Sequence, residues 1–113
     1  LNKKIADLHT KQNGILANGK RLHEDIEQGG TTARWSKNDF VDYIEYYRLH
    51  DIAFVTRMET EYRHLSAKYI FFSVLEKTGR SDEDIQRIMG VSQSTVRSIR
   101  SRINGSKIDE DEG

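Results

Sequence analysis

Apolar residues recur at steps of three and four along almost the whole chain, from Leu1, Ile5 and Leu8 at one end to Val96, Ile99 and Ile103 at the other. That spacing gathers them on one face of a helix, whereas a strand needs alternation at a period of two, and no stretch supplies it. Proline is absent, so nothing interrupts a helix by removing an amide. The interruptions are glycines and small polar residues, and the fold class they imply is all-α.

The first repeat runs through Leu1, Ile5, Leu8, Gln12, Ile15, Gly19, Leu22 and Ile26, with steps alternating four and three. A 3.5-residue repeat keeps one stripe facing a partner helix, which predicts a coiled coil over residues 1–28 and a homodimer joined through it. The dimer seam is then Leu1, Ile5, Leu8, Gln12, Ile15, Leu22 and Ile26. Gln12 puts an amide in that seam, and Gly19 weakens the helix by about 1 kcal/mol relative to alanine. The competing reading is one amphipathic helix folded back on the rest of the domain. "GILANGKR" imitates a P-loop from Gly14 to Lys20, but Arg21 stands where the magnesium-binding Ser or Thr belongs and no strand precedes it, so nucleotide binding is set aside.

"QGGTT" at Gln28–Thr32 breaks the repeat, and a hinge is expected over 29–34. A helical domain follows over 35–107. Ser36 with Asp39 forms a capping box bracketed by Trp35 and Phe40, and places Phe40, Tyr43, Ile44 and Tyr47 on one face. After a break near His50 and Asp51 come Phe54, Val55, Met58 and Tyr62. Ser66 opens a helix with Ile70, Phe71, Val74 and Leu75 inward, stopped at Thr78-Gly79. Aromatics at this spacing read as core rather than as a base-stacking platform. Ser81 with Asp84 starts a short helix carrying Ile85, Ile88 and Met89 and ending at Gly90. Ser92 caps a last helix expected to stop at Asn104-Gly105.

A chain of 113 residues suits one small domain with an appendage, and the absence of an initiator methionine predicts a piece of a longer protein. With no cysteine there is no disulfide, thiolate metal site or thiol chemistry. No apolar run reaches the ~18 residues of a membrane span. The expected location is the cytoplasm, either free or as the cytoplasmic end of a membrane-anchored regulator. His9, His23, His50 and His64 lack metal-ligand spacing, so no metal, cofactor, small-molecule substrate or enzymatic activity is expected.

The net charge is zero, but residues 65–107 hold eight Lys/Arg against four Asp/Glu, while the tail 108–113 carries four acids. Val91 to Gly105 contains Arg97, Arg100 and Arg102 and no acid at all. A short helix, a turn at Gly90-Val91 and a second helix from Ser92 make a helix-turn-helix over 81–103. With Val96, Ile99 and Ile103 inward, the outward face is Ser94, Arg97, Ser98 and Ser101, flanked by Gln93, Thr95, Arg100 and Arg102. Arginine reaches guanine edges and phosphates, glutamine reads adenine, and small serines let a helix settle into a major groove about 12 Å wide. These eight residues are the candidate contacts to double-stranded DNA.

"SDEDIQRIMGVSQSTVRSIRSRI" resembles the LuxR/GerE-type helix-turn-helix, and the C-terminal output module of Bacteroidetes transcriptional regulators in particular. The likeness includes Trp35, Phe40, Phe54, Leu65, Ser66, Ser81, Ile85, Gly90, Val91, Ser92, Val96, Arg100 and Arg102, and covers roughly residues 35–103. It implies transcription regulation, with a sensor or tetratricopeptide-repeat region and a coiled coil ahead of the DNA-binding end. Asp82-Glu83-Asp84 replaces the family's usual Asn-Lys-Glu, Lys68 stands where glutamate is common, and Gln86 replaces alanine. The fourth helix is missing or reduced to "SKIDEDEG". Weaker phosphate anchoring, and a dimer contact in the coil, are expected. The alternatives are a module of the same shape that contacts RNA polymerase or an anti-regulator, and a promoter-binding region like that of sigma factors.

Overall fold

The computed structural model describes residues 2–108, with the side chains of the N-terminal helix described from Gln12 onward. Its elements are α1 (Asn2–Glu27), α2 (Lys37–Arg48), α3 (Ile52–Thr60), α4 (Ala67–Lys77), α5 (Asp82–Met89) and α6 (Gln93–Ser106). Among the described residues there is no strand, only an isolated antiparallel bridge between Tyr62 and Lys107. The chain is all-α.

Five of the helices begin in the same way. Ser36, Asp51, Ser66, Ser81 and Ser92 are the N-caps, and the side-chain oxygen of each accepts from the amide three residues on. Each cap satisfies a donor that the helix leaves orphaned and is worth about 1 kcal/mol. Ser36 and Asp39 complete the reciprocal box, and Trp35 packs on Phe40 with ring centroids 5.0 Å apart. The second box is only half formed: the Asp84 carboxylate accepts instead from Arg80 (2.9 Å) and Arg87 (3.0 Å).

The core gathers around α4, in which Ile70 to Leu75 are buried without a break. A helix buried on every side is one that its neighbours surround. Phe71 is its centre, with ring centroids 4.9 Å from Tyr43, 5.1 Å from Trp35 and 5.5 Å from Phe40. The aromatic stripe is therefore core. Phe72 and Ser73 are buried too, although the apolar spacing alone does not include them.

Three expectations are corrected. The first concerns the dimer seam: Leu22 and Ile26 are 2% and 1% exposed, inside the core of their own domain, so they present nothing to a second helix. Ile15 and Gln12 are exposed; Leu1 lies outside the described residues, as do the side chains of Ile5 and Leu8. Gly19, far from being a flaw in the repeat, is where α1 crosses α2 so closely that a methyl would strike the Asp42 carbonyl and the Tyr46 Cβ. Asn18 Nδ2 donates to Asp39 (3.1 Å) and Asp42 (2.8 Å) beside that crossing.

The second correction concerns the hinge. Thr32 is buried, and both its amide (2.8 Å) and its hydroxyl (3.3 Å) donate to the Ile88 carbonyl. Arg87 donates to the Gly29 carbonyl at 2.9 Å, and Arg80 pairs with Glu27 at 3.1 Å. Gly29 turns the chain with φ 97°, and the segment then ties α1 to α5.

The third concerns the end of α6, which continues through Asn104 and Gly105 to Ser106. The Ser106 carbonyl accepts from the Arg63 amide and the Glu61 carbonyl from the Ile108 amide, both at 2.8 Å. These tertiary bonds hold the last turn helical where local sequence predicts a stop. Among the described residues no helix is long and apolar enough to cross a membrane.

Candidate nucleic-acid interface

The last two helices are fixed at their junction. Gly90 ends α5 in the left-handed region, φ 64° and ψ 39°, where a residue without Cβ is unstrained. The Gln86 carbonyl accepts from the Gly90 amide, and from Val91 at 3.1 Å. Val91 packs against the core, and Ser92 Oγ accepts from the Thr95 amide at 3.2 Å to start α6. Val96, Ile99 and Ile103 are buried, which sets the rotation of α6 about its axis.

That rotation turns Ser94, Arg97, Ser98 and Ser101 outward, and all four are exposed. Arg97 makes no ion pair among the described residues. Ser94 Oγ lies 3.2 Å from Ser92 Oγ at the cap, and the ridge past it is low, with only the Arg97 side chain rising from it.

The flanking residues divide differently. Arg100 is already engaged: its Nε donates to Glu76 at 2.8 Å, its Nη2 to Asp82 at 2.7 Å, and its guanidinium lies 5.9 Å from the Phe72 ring centroid. Gln93 donates to Asp82 at 3.1 Å and accepts from Gln86. Hydrogen bonds donated by Arg100 and then by Gln93 hold the Asp82 carboxyl below the usual aspartate range, and the bonds that Arg100 donates to Asp82 and then to Glu76 hold its own guanidinium more firmly protonated. Thr95 joins the cap through Ser92 Oγ at 3.1 Å. Arg102 is exposed and donates to the Tyr69 hydroxyl at 3.1 Å.

Of the eight candidate residues, the structure therefore presents Ser94, Arg97, Ser98, Ser101 and Arg102 outward. It commits Gln93, Thr95 and Arg100 to internal bonds. Glu76 and Asp82, which hold Arg100, lie 24 and 18 residues away in sequence, so nothing local signals the pairing. Helical spacing gives no hint that His23 meets His50 either, yet their rings stack with centroids 6.5 Å apart beside Tyr46. Among the described residues no group of three His, Asp or Glu side chains is placed to hold a metal ion. Comparison with protein-family models, with curated proteins and with solved structures gives no match to this chain.

Proposed function

We propose that the chain binds duplex DNA by setting the outward face of α6 in the major groove, as the output end of a transcriptional regulator. The observation that carries this reading is the ridge of Ser94, Arg97, Ser98 and Ser101: exposed, free of acids and backed by a rigid apolar face. A helix with its side chains is about 10–12 Å across and the groove about 12 Å wide, so short side chains decide whether the helix reaches the base edges. Arg97 is the residue that reads a base or grips a phosphate. Arg100 orients α6 instead, through Glu76 and Asp82.

A module this small reaches few phosphates and bases, and two copies on half-sites about one helical turn apart supply the rest. With Leu22 and Ile26 buried internally, such pairing rests on α1 upstream of Gly19. Selection of bound duplexes from a random library tests the reading: a recurrent motif is expected with the wild type and none with Arg97→Ala. A second reading, contact with protein, is favoured by Asp82, Glu83 and Asp84 beside the ridge. It predicts capture of RNA polymerase that survives Arg97→Ala, with no duplex enriched.

A further inference from the structure

The two flanks of α6 are electrostatically unlike. On the side of Arg100 stand Glu76 and the acidic first turn of α5, and Arg100 itself is bound to them. A phosphate strand approaching from this side meets carboxylates, with the nearest guanidinium already paired.

The opposite side is built by the α3–α4 loop and the start of α4. The loop is sewn to the end of α6 by the Arg63 amide on Ser106, the Ile108 amide on Glu61 and the bridge between Tyr62 and Lys107. His64 turns the loop with φ 53°, a left-handed conformation that a residue with a Cβ seldom adopts, next to the stretch Glu61–Arg63 that the end of α6 holds. Tyr69, one residue after Lys68, holds Arg102 through its hydroxyl. Arg63, Lys68, Arg102 and Lys107 are exposed, and none forms an ion pair among the described residues.

Resting on the DNA-binding reading, we infer that one strand of the duplex lies on this flank, with phosphates held by Arg63, Lys68 and Arg102. The other strand keeps away from the α5 flank. The module thus docks lopsidedly, and phosphate anchoring comes from the α3–α4 corner rather than from the scaffold helix α5.

The test is fluorescence anisotropy with a fluorescein-labelled duplex of about 20 base pairs, titrated between about 50 and 200 mM salt. The Arg63→Ala/Lys68→Ala double variant is compared with Lys20→Ala/Lys37→Ala, which removes the same charge from α1 and α2. The flank double variant is expected to bind about tenfold or more weakly at low salt, with the slope of log affinity against log salt shallower by about 0.9 for each phosphate it no longer neutralises. The control double variant is expected to stay near the wild type. Lys68→Gln alone, which leaves the loop untouched, is expected to flatten the slope by the amount due to a single phosphate. An unchanged slope in the flank variants, while Arg97→Ala weakens binding, overturns the flank and leaves the DNA reading standing. Equal losses in both double variants also overturn the flank, since total charge then explains the effect. A wild type that binds no duplex at any salt removes both.

Discussion

Arg97 and Arg100 stand three residues apart on one helix, and their surroundings assign them opposite tasks. Arg97 projects from the ridge, whereas Arg100 is pinned between Glu76 and Asp82 with its side chain 35% exposed. Arg97→Ala is accordingly expected to leave stability within about 0.5 kcal/mol of wild type while weakening DNA binding by about 1–3 kcal/mol, read by calorimetry and anisotropy. Arg100→Ala is expected to lower stability instead. The two pairs are partly solvated and screened, so the loss is expected to be small, a slightly lower melting temperature. The sequence carries the outward placement of Arg97, because helical period and the buried Val96, Ile99 and Ile103 determine it. It does not carry the capture of Arg100, because that depends on the end of α4, with Glu76, and the start of α5, with Asp82, meeting α6 in space. Acid tests this pairing and a separate one beside it on α5: Asp82 and Asp84 both have carboxyls lowered by bonds from arginine, Arg100 and Arg80 respectively being the largest cause. Their contribution is complete above the unfolded value of about 3.9 and is lost as pH falls through the lower folded values. The melting temperature should hold level down to about pH 4 and then drop, and the drop should be smaller in Asp82→Asn.

At the scale of elements, α1 departs furthest from a reading of its own repeat. A stripe at steps of three and four suits a partner helix or a domain surface equally, and periodicity alone does not choose between them. Gly19 decides for the domain from the crossing with α2 onward, because there the chain needs a residue without Cβ. Gly19→Ala tests this. The substitution gains about 1 kcal/mol of helix propensity but forces backbone and Cβ atoms apart at a cost of about 1–3 kcal/mol, so net destabilisation is expected in urea unfolding. Leu22→Ala is expected to cost about 3 kcal/mol through a cavity in the core, and to leave any dependence of the unfolding midpoint on protein concentration as it is in the wild type. A concentration dependence that Leu22→Ala removes would return Leu22 to an intermolecular seam. The caps, by contrast, are fully legible: Ser36, Ser66, Ser81 and Ser92 each act on an amide three residues away, a distance that sequence spans.

For the molecule as a whole, charge arrangement matters more than charge total. The net formal charge is zero, yet Arg63 and Lys68 are exposed on the loop and the first turn of α4 that meet the end of α6, Arg102 and Lys107 are exposed at that end, and the sequence has four acids at 109–112. Neutralising those four acids to amides is expected to tighten binding to any duplex, with the gain largest at low salt, because it removes charge that repels phosphate. Whether the outward face of α6 enters the groove is read from amide chemical-shift mapping of the isotope-labelled protein as duplex is added. The largest shifts are expected at Ser94–Ser101, with a second set at Arg63–Tyr69 and little change along Asp82–Asp84. Shifts confined to α1, α2 and α3, with α6 unmoved, would contradict that entry.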